Sequence, residues 1–294
     1  MNKVVDRAMT AAALNETAKT LAKSFAERAA DHDSNDKFIA ANYADLKSAG
    51  LISAGVPVEL GGGGAEVRAL CDMLRIIAGA CGSTGLALSM HTHQVAIPAW
   101  RWHHQDPARP MVEPLLRRVA EENIVLLSSG GSDWIGGSGK AEKVEGGYRI
   151  TARKVFSSGA PAGDLLMTGA ISDEDRKKTV LHFGVPLSAP EVTVLDTWRT
   201  MGMRGTGSHD INIDGLFIAD DKIPLKRTAG EWHPAFQMIA TIAFPLIYSV
   251  YLGIAESARD IAVDIAAKKS VSHRVQSLAG QMDTALAAAR MAHN

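Results

Sequence analysis

The segment Asn123–Ala170 decides the fold, and it reads NIVLLSSGGSDWIGGSGKAEKVEGGYRITARKVFSSGAPAGDLLMTGA. Its residues Lys140–Glu145 and Tyr148–Val155 alternate polar and apolar side chains around Gly146-Gly147, which is a strong signal for a β-hairpin. A further apolar run, Val125–Ser128, leads into a loop of serines and glycines. The segment therefore predicts a β unit with small hydroxyl residues and glycines at the ends of its strands.

Helical patterns lie on both sides of this β unit. Before it, apolar residues recur at spacings of three and four over about 10–31 and in later runs that end near Gly50, Ala80, His104 and Ala120. After it come more short strands and then a return of the helical pattern from Trp232. The predicted strands are Leu165–Ala170, Thr179–Val185, Val192–Leu195 and Asp210–Ile218, and the predicted helices run through Lys269 and over Ser277–Ala292.

This order predicts an α+β protein of several domains. We expect an N-terminal all-α domain over 1–122, a middle antiparallel β-barrel or sandwich domain over 123–228, and the start of a C-terminal helical bundle over 229–294. The last helix carries an apolar stripe of Leu278, Met282 and Leu286 that needs covering, which predicts association into a homo-oligomer.

Composition excludes several classes of protein. The 294 residues are 46% hydrophobic and 21% charged, as in an ordinary globular protein with a sizeable core. The net charge of -1, without a clustered basic face, argues against a nucleic-acid partner. Cys71 and Cys81 are expected to be buried free thiols in a reducing compartment, which indicates a cytoplasmic protein.

One apolar segment tests that assignment. No Asp, Glu, Lys or Arg occurs between Glu231 and Glu256, and the uncharged stretch is long enough to cross a membrane. Pro245 interrupts it, however, and polar residues such as Ser249 dilute it. We therefore expect a helix buried on all sides of a bundle, with no membrane insertion.

Two histidines on one predicted helix are candidate site residues. His91 and His93 are separated by roughly 200° of helical turn, so they cannot both bind one metal ion, and no metal site is predicted. One of the two could still face a site. A packed or surface role for each is the alternative.

The serines and glycines of the β unit suit a flat aromatic cofactor. Glycine permits close approach of the backbone, and serine hydroxyls both donate and accept hydrogen bonds. Phe156 could pack on the face of such a ring. The hydroxyl residues of this set are Ser128, Ser129, Ser132, Ser157 and Ser158. An ordinary Ser/Gly loop is the alternative.

Several motifs together resemble the acyl-CoA dehydrogenase superfamily. They are VPVELGGGG at 56–64, SSGGSD at 128–133, KVFSSG at 154–159, MGMRGTGS at 201–208 and YLGIAESARD at 251–260, and they span nearly the whole chain. The resemblance implies a flavin cofactor, FAD or alternatively FMN. It also implies a homotetramer in which the C-terminal bundle completes a neighbour's flavin site.

The resemblance assigns a role to each residue of the flavin wall. Phe156 would lie against the isoalloxazine ring, with Ser157 in the same triplet and Ser158 near the N5/O4 edge. Ser128 would lie near the pyrimidine end, and Ser132 would sit where a phosphate region passes. Capping of strand ends is the alternative role for these serines.

The family reaction is α,β-dehydrogenation of an acyl-CoA thioester, in which a glutamate removes a proton and a hydride passes to flavin N5. The usual glutamate would lie C-terminal of Asn294. Some members place it instead at the position of Ala243, next to an arginine that is Phe244 here. No catalytic base of the family's type is therefore assignable. The expectation is either a truncated dehydrogenase, working with an electron acceptor, or a branch with different chemistry.

Two alternatives to the dehydrogenase stay open. FSSG at 156–159 and PLIYSVYLGIA at 245–255 resemble two-component flavin monooxygenases of this fold, which use reduced flavin from a reductase partner together with oxygen. His91 or His93 with Ser158 would then be catalytic, and the substrate would be another small molecule. The third possibility is a non-catalytic remnant that binds flavin or a partner.

Overall fold

The computed structural model describes residues 8–129, 131–174, 177–268 and 272–293, without the side chain of Ser132. Within them the chain is helical first, then β, then helical again, so the predicted α+β organisation is confirmed. The first part contains α1 (Ala11–Ser34), α2 (Ala40–Ser48), α3 (Val67–Ala80), α4 (Gly82–His104) and α5 (Arg109–Glu122). The domain boundaries at 122/123 and 228/229 stay a prediction.

Local sequence explains where these helices begin and end. The hydroxyl of Thr10 accepts a hydrogen bond from the amide of Ala13 at 3.2 Å and so caps α1. Asn123 takes a left-handed conformation (φ 55°) directly after α5, where a short polar side chain tolerates it. Cys71 and Cys81 are free and buried, Cys81 at the break between α3 and α4.

The strands of the middle part are joined by hydrogen bonds into one eight-stranded sheet. Its strands are β1 (Leu126–Ser128), β2 (Lys140–Val144), β3 (Gly147–Lys154), β4 (Leu165–Ser172), β5 (Thr179–Pro186), β6 (Val192–Val194), β7 (Ile211–Ala219) and β8 (Leu225–Thr228). The order is β6-β7-β3-β2-β4-β5-β8, and β1 joins the edge of β4 that β2 also meets.

The sheet is mixed, so the prediction of a middle β domain is confirmed while its purely antiparallel pairing is corrected. β1 and β2 each pair with β4 in parallel, through Leu126↔Leu165 and Lys140↔Ile171. A parallel pair needs a crossover, because both strands run the same way. Here the β3 strand and the turn after it return the chain to the start of β4. Strand β8 was not predicted, since its sequence LKRT lacks a clear alternation of apolar residues.

The last part contains α6 (Ala235–Ala267) and α7 (His273–His293). Helix α6 packs on α3 so closely that a Cβ added to Gly253 would lie 2.2 Å from the Arg75 carbonyl oxygen. The ion pair of Arg75 with Glu256 joins the same two helices. On α7, Leu286 is buried while Leu278 remains 55% exposed, so only part of the predicted stripe is covered within the described residues.

Helix α6 is long and apolar enough to cross a membrane, judged by length and composition alone. The sequence predicted a helix buried on all sides, and the structure differs. One face of α6 packs on α3 and α4, whereas Tyr248, Tyr251 and Ile261 are about half exposed. A single helix of this kind is weak evidence for a membrane span.

The contact between α3 and α6 predicts opposite effects of the same substitution at two helical glycines. Gly253→Ala should lower the free energy of unfolding by about 1–3 kcal/mol, because the added methyl group forces the helices apart. At Gly280 on α7, nothing lies within 4 Å of an added Cβ. Gly280→Ala should therefore raise the free energy of unfolding by about 0.5–1 kcal/mol, because alanine loses less conformational freedom in a helix than glycine does. Urea unfolding followed by circular dichroism measures both, and a stabilising Gly253→Ala would contradict the close packing.

Candidate active site

A cleft of about 730 Å³ lies where α4, the sheet and α6 meet. Its wall includes His93 from α4, Ser128 at the end of β1, Phe156 after β3, His182 on β5 and Ala243 on α6. The cleft therefore collects side chains from all three parts of the chain, among them several residues that the sequence singled out.

The loop 131–138 forms one wall of the cleft, and the fully buried ammonium group of Lys154 fastens it. Lys154 Nζ donates hydrogen bonds to Asp133 Oδ2 at 2.8 Å, the Ser138 carbonyl at 2.9 Å and the Gly169 carbonyl at 2.6 Å. An ammonium group has three donors, so all of them are engaged. This one side chain ties the loop to both β3 and β4.

The charges of this buried pair stabilise each other. Burial alone would raise the pKa of the Asp133 carboxyl, but hydrogen bonds from Lys154 and Ser138 outweigh it and hold that pKa below its ordinary value. Burial lowers the pKa of Lys154, and the hydrogen bond to Asp133 opposes this effect. The carboxylate of Asp133 is thus a fixed structural charge.

A second buried cation holds the same loop from the other side. Arg227 is 4% exposed, and it donates to the carbonyl oxygens of Ile135 at 2.7 Å and Trp134 at 2.6 Å. Its Nε donates to His182 Nε2 at 3.0 Å. Burial first, and then the charge of Arg227, lowers the pKa of His182 to about 4, so this cleft residue is neutral.

The structure separates the roles of the two helix histidines. His91 is buried behind the cleft, where Nε2 donates to the Ile52 carbonyl at 2.8 Å and Nδ1 accepts from the Leu126 amide at 3.0 Å. It therefore joins α4 to β1 as a packed, neutral residue. His93 instead lines the cleft. Burial lowers the pKa of both histidines to about 4.

His93 is held in one orientation and one tautomer. Its Nδ1 lies 3.0 Å from the Ser89 carbonyl oxygen, which can only accept, so Nδ1 carries the proton. Its Nε2 is then an acceptor, and the side-chain amide of Gln94 lies 3.2 Å from it. His93 therefore presents a neutral imidazole to the cleft, with Nε2 free of a proton.

Phe156 combines two unusual properties. Its ring is 60% exposed, and its backbone adopts a left-handed conformation (φ 56°) that bulky residues rarely take. Trp198 meets the ring edge-on, with centroids 6.0 Å apart. Strained backbone of this kind costs about 1–3 kcal/mol and clusters at functional sites. An exposed aromatic face held at such a cost is suited to stack on a flat ligand.

A directed chain of hydroxyl groups lies behind Phe156. Thr206 Oγ1 donates to the Met203 carbonyl at 2.9 Å, and Ser208 Oγ lies 2.7 Å from Thr206 Oγ1 and 2.8 Å from Ser158 Oγ. Each hydroxyl has one proton. Because Thr206 gives its proton to a carbonyl, Ser208 donates to Thr206 and Ser158 donates to Ser208. The oxygen of Ser158 is then an acceptor for any ligand.

The remaining predicted serines are placed differently from one another. Ser128 lines the cleft, and its hydroxyl lies 3.8 Å from the sulfur of Met90. Ser129 lines it too and accepts from Thr168 at 3.1 Å. Ser157 is fully buried, and its Oγ has no hydrogen-bond partner in the part of the chain that the structure describes. Ser132 lies in the short 3-10 turn 131–133, and its side chain lies outside the described residues.

Position 243, which the family resemblance aligns with the catalytic glutamate of some acyl-CoA dehydrogenases, faces the cleft as Ala243. Phe244 beside it also lines the cleft and stacks on Trp134, with ring centroids 5.8 Å apart. Among the described lining residues, Asp133 is the only one with a carboxyl group, and that group is engaged with Lys154. These walls thus contain no free carboxylate to remove a proton.

Comparison with known proteins agrees with the helical and β parts of the chain described above. The N-terminal domain of acyl-CoA dehydrogenase matches residues 10–116, and the middle domain of acyl-CoA dehydrogenase matches residues 128–216. A pigment production hydroxylase from Rhodococcus sp. is 31% identical over 213 residues, which are 72% of this chain and 51% of that protein. An L-evernosamine nitrososynthase from Micromonospora sp. is 30% identical over 274 residues, which are 89% of this chain and 63% of that protein.

A solved structure extends the comparison to a ligand. KijD3 in complex with FMN and dTDP-3-amino-2,3,6-trideoxy-4-keto-3-methyl-D-glucose superposes with a TM-score of 0.84 at 27% identity, covering 95% of this chain and 70% of that one. The chain spans about half to two thirds of the length of the curated relatives named above.

The buried Lys154 ammonium predicts a large loss of stability when it is removed. Lys154→Met leaves the carboxylate of Asp133 buried without its partner, so the free energy of unfolding should fall by about 3–5 kcal/mol. Lys143→Met is the matched control. Lys143 pairs with Asp220 at the surface, and its loss should change the free energy of unfolding by less than about 1 kcal/mol. Urea unfolding compares the two, and adding Asp133→Asn to Lys154→Met should restore part of the loss.

Burial of three histidines predicts that acid destabilises the fold. The folded pKa values of His91, His93 and His182 are about 4, below the ordinary 6.5 of an unfolded chain. The unfolded state therefore binds more protons between about pH 6.5 and 4, and each histidine lowers the free energy of unfolding by up to about 1.4 kcal/mol per pH unit as pH falls. Urea unfolding from pH 7.5 to 5 measures the slope, which His91→Gln should reduce.

Proposed function

We propose that this chain, which belongs to the acyl-CoA dehydrogenase superfamily, is a flavin-dependent monooxygenase that uses reduced FMN and oxygen on a small-molecule substrate. The observation that carries the proposal is the cleft wall itself. It presents a neutral histidine at 93 and a methyl group at 243, where proton abstraction from an acyl-CoA would need a free carboxylate. The relatives named as a hydroxylase and a nitrososynthase support this choice over dehydrogenation.

The residues present fit a flavin ring. We assign the exposed face of Phe156 to the ring, the hydroxyl of Ser158 to its edge, and Ser128 to the opposite end of the cleft. Ser157 would support the same turn from beneath, and Ser132 stays a candidate for the phosphate region. FMN replaces FAD as the proposed cofactor because KijD3 was crystallised with FMN. When bound in its reduced form, a flavin supplies the activation of oxygen.

The hydroxyl chain supports a preference for reduced flavin. The N5 atom of an oxidised flavin can only accept a hydrogen bond, whereas N5 of the reduced ring carries a proton and donates. Ser158 is half-buried and lies two residues after Phe156, which lines the cleft. Its oxygen can accept a further hydrogen bond because Ser208 and Thr206 fix the direction of the hydroxyl chain. Oxidised flavin would require the chain to reverse, which forfeits the bond from Thr206 to the Met203 carbonyl. Thr206 and Ser208 are 0% and 3% exposed, so water does not replace that bond.

His93 takes a different part in this proposal. Because burial lowers its pKa to about 4, the imidazole stays neutral at physiological pH. Its Nε2 lone pair accepts a hydrogen bond from the Gln94 amide, and a substrate hydroxyl or amine would bind Nε2 by taking the place of that amide, which also lines the cleft. His91 is excluded from this role because it does not line the cleft and because both of its ring nitrogens are bonded to backbone groups. A reductase that delivers the reduced flavin, assembly into a homo-oligomer and a cytoplasmic location complete the proposal.

The reduced-flavin preference predicts a measurable affinity ratio. The chain should bind reduced FMN more tightly than oxidised FMN under anaerobic conditions, and Ser208→Ala should narrow the ratio of the two dissociation constants by about three- to tenfold, the worth of one hydrogen bond. Ser208→Thr keeps a hydroxyl and serves as the control. Anaerobic fluorescence titration gives both constants without any turnover.

Two results would count against the proposed function. One is bleaching of a bound oxidised flavin by any acyl-CoA thioester of a panel, which would support the alternative that the chain is a dehydrogenase. The other is failure of the chain to bind FMN in either redox state, which would leave only a non-catalytic role for these residues. Oxygen uptake with supplied reduced FMN, above the rate of free flavin oxidation and coupled to product, supports the monooxygenase.

A further inference from the structure

We infer that His182 is a substrate-binding residue of the cleft, and that its Nδ1–H, directed by the buried Arg227, donates a hydrogen bond to an acceptor oxygen of the substrate, such as a carbonyl oxygen. The identity of that ligand as a substrate rests on the proposed function. The donor itself rests on the contacts of the His182 ring and on the place of β5 in the sheet.

Arg227 decides which nitrogen of the His182 ring carries the proton. A guanidinium group can only donate hydrogen bonds, and Arg227 Nε lies 3.0 Å from His182 Nε2, so Nε2 is the acceptor. Burial first, and then the charge of Arg227, lowers the pKa of His182 to about 4, so the ring is neutral. A neutral imidazole carries one ring proton. That proton therefore lies on Nδ1.

The Nδ1–H group of His182 is open to the cleft. The residue lines the cleft, and Nδ1 has no hydrogen-bond partner among the described residues and is not enclosed by them. In the pairing of β4 with β5, His182 lies directly opposite Gly169. Side chains at directly opposed positions share one face of a sheet, and glycine has no side chain. The neighbouring position on β4 therefore leaves the ring uncovered.

Arg227 is held in a fixed orientation, and this direction passes to His182. The guanidinium group is buried, and its two terminal nitrogens donate to the carbonyl oxygens of Ile135 at 2.7 Å and Trp134 at 2.6 Å. A hydrogen bond from a charged donor polarises the imidazole, which makes Nδ1–H a stronger donor than that of an isolated neutral ring. The cleft thus receives part of the positive charge of Arg227, although Arg227 is not one of its lining residues.

Nearby hydroxyl groups of the cleft are engaged with protein atoms instead. Thr168 donates to Ser129 at 3.1 Å, and the hydroxyl of Ser129 is hydrogen-bonded to the carboxylate of Asp133, which can only accept. On the opposite wall, His93 presents its Nε2 as an acceptor. His182 therefore complements His93, because the two neutral imidazoles offer opposite hydrogen-bonding groups to one cleft.

The position of β5 favours the substrate over the flavin as the partner of this donor. Phe156 and Ser158, which we assign to the flavin, follow β3, and Ser128 ends β1. Strand β1 and the β2–β3 hairpin lie on one edge of β4, whereas β5 lies on its other edge. A ring held by these three residues lies towards the first edge. The donor of His182, beyond β4, then remains for a second ligand.

The first measurement is the tautomer of His182 in the full chain, prepared with isotope-labelled histidine. Long-range proton–nitrogen correlation spectra distinguish an Nδ1–H ring from an Nε2–H ring, and loss of the resonance in His182→Gln or His182→Asn identifies it. The Nδ1–H form should persist without titration between about pH 7.5 and 5.5, because the pKa is about 4. A ring protonated on Nε2 would overturn the inference.

The second measurement compares two probes of similar shape, acetophenone and ethylbenzene, which differ by a carbonyl oxygen. Acetophenone should shift the His182 Nδ1 resonance of the native chain carrying FMN. His182→Gln keeps an oxygen for Arg227 Nε but has no donor at the position of Nδ1. In equilibrium dialysis it should weaken acetophenone by about three- to tenfold, the worth of one hydrogen bond, and leave ethylbenzene within about twofold. His182→Asn places an amide N–H near the position of Nδ1 and should recover most of the affinity.

Equal weakening of both probes by His182→Gln would overturn the inference, and so would an Nδ1 resonance that acetophenone does not move in the native chain. A resonance that moves with FMN and not with acetophenone would transfer the donor to the flavin and overturn the assignment to substrate. Failure to bind FMN in either redox state, with the acetophenone response intact, would defeat the proposed function alone. Circular dichroism checks that both variants are folded, and the response of the native resonance to acetophenone does not depend on them.

Discussion

A single buried charge, the ammonium group of Lys154, constrains the cleft more than any other interaction. An ion of this kind costs several kcal/mol to remove from water, and that cost is offset only when every donor finds an acceptor in good geometry. Asp133, Ser138 and Gly169 provide those acceptors, and they belong to a loop and to a neighbouring strand. The loop must therefore close over the end of β3. Arg227 fixes its other side through the same kind of contact, so the wall that carries Trp134 has little freedom to move.

The rigidity of this wall explains the polarity of the cleft. Among the described residues, Lys154, Asp133 and Arg227 are the charged side chains that hold the loop, and Lys154 and Arg227 do not line the cleft. What faces the cleft is the outer side of the loop, where Trp134 stacks between two phenylalanines of α6. The aromatic stack in turn joins the sheet to the C-terminal helices. Electrostatic interactions thus build the scaffold, and apolar contacts form the surface that a ligand meets.

The amino-acid sequence predicts the order of elements well, because helix and strand periods are local properties of the chain. Residue types indicate Phe156 and Ser158 as neighbours of a flat ligand, but only the family resemblance gives each of them a place on a flavin ring. The roles of Lys154 and Arg227 were not predicted. A lysine at the end of a strand normally lies in solvent, and the carbonyl groups that Arg227 binds, those of Ile135 and Trp134, lie more than 90 positions earlier in the chain. Spacing alone also could not separate His91 from His93. Which of the two is packed depends on β1, 35 residues further along the chain.

The pair at positions 243 and 244 links the fold to its chemistry. A fold specifies where a flavin and a substrate can meet, but the reaction depends on the side chains at that place. An acid at 243 would need a polar or cationic neighbour to keep its charge in this enclosed space, and Phe244 is instead committed to the stack on Trp134. Phe244 could be replaced by a cation only at the expense of the wall that the Lys154 loop supports. Ala243 and Phe244 are therefore physically coupled, and together they favour a site that acts without a carboxylate base.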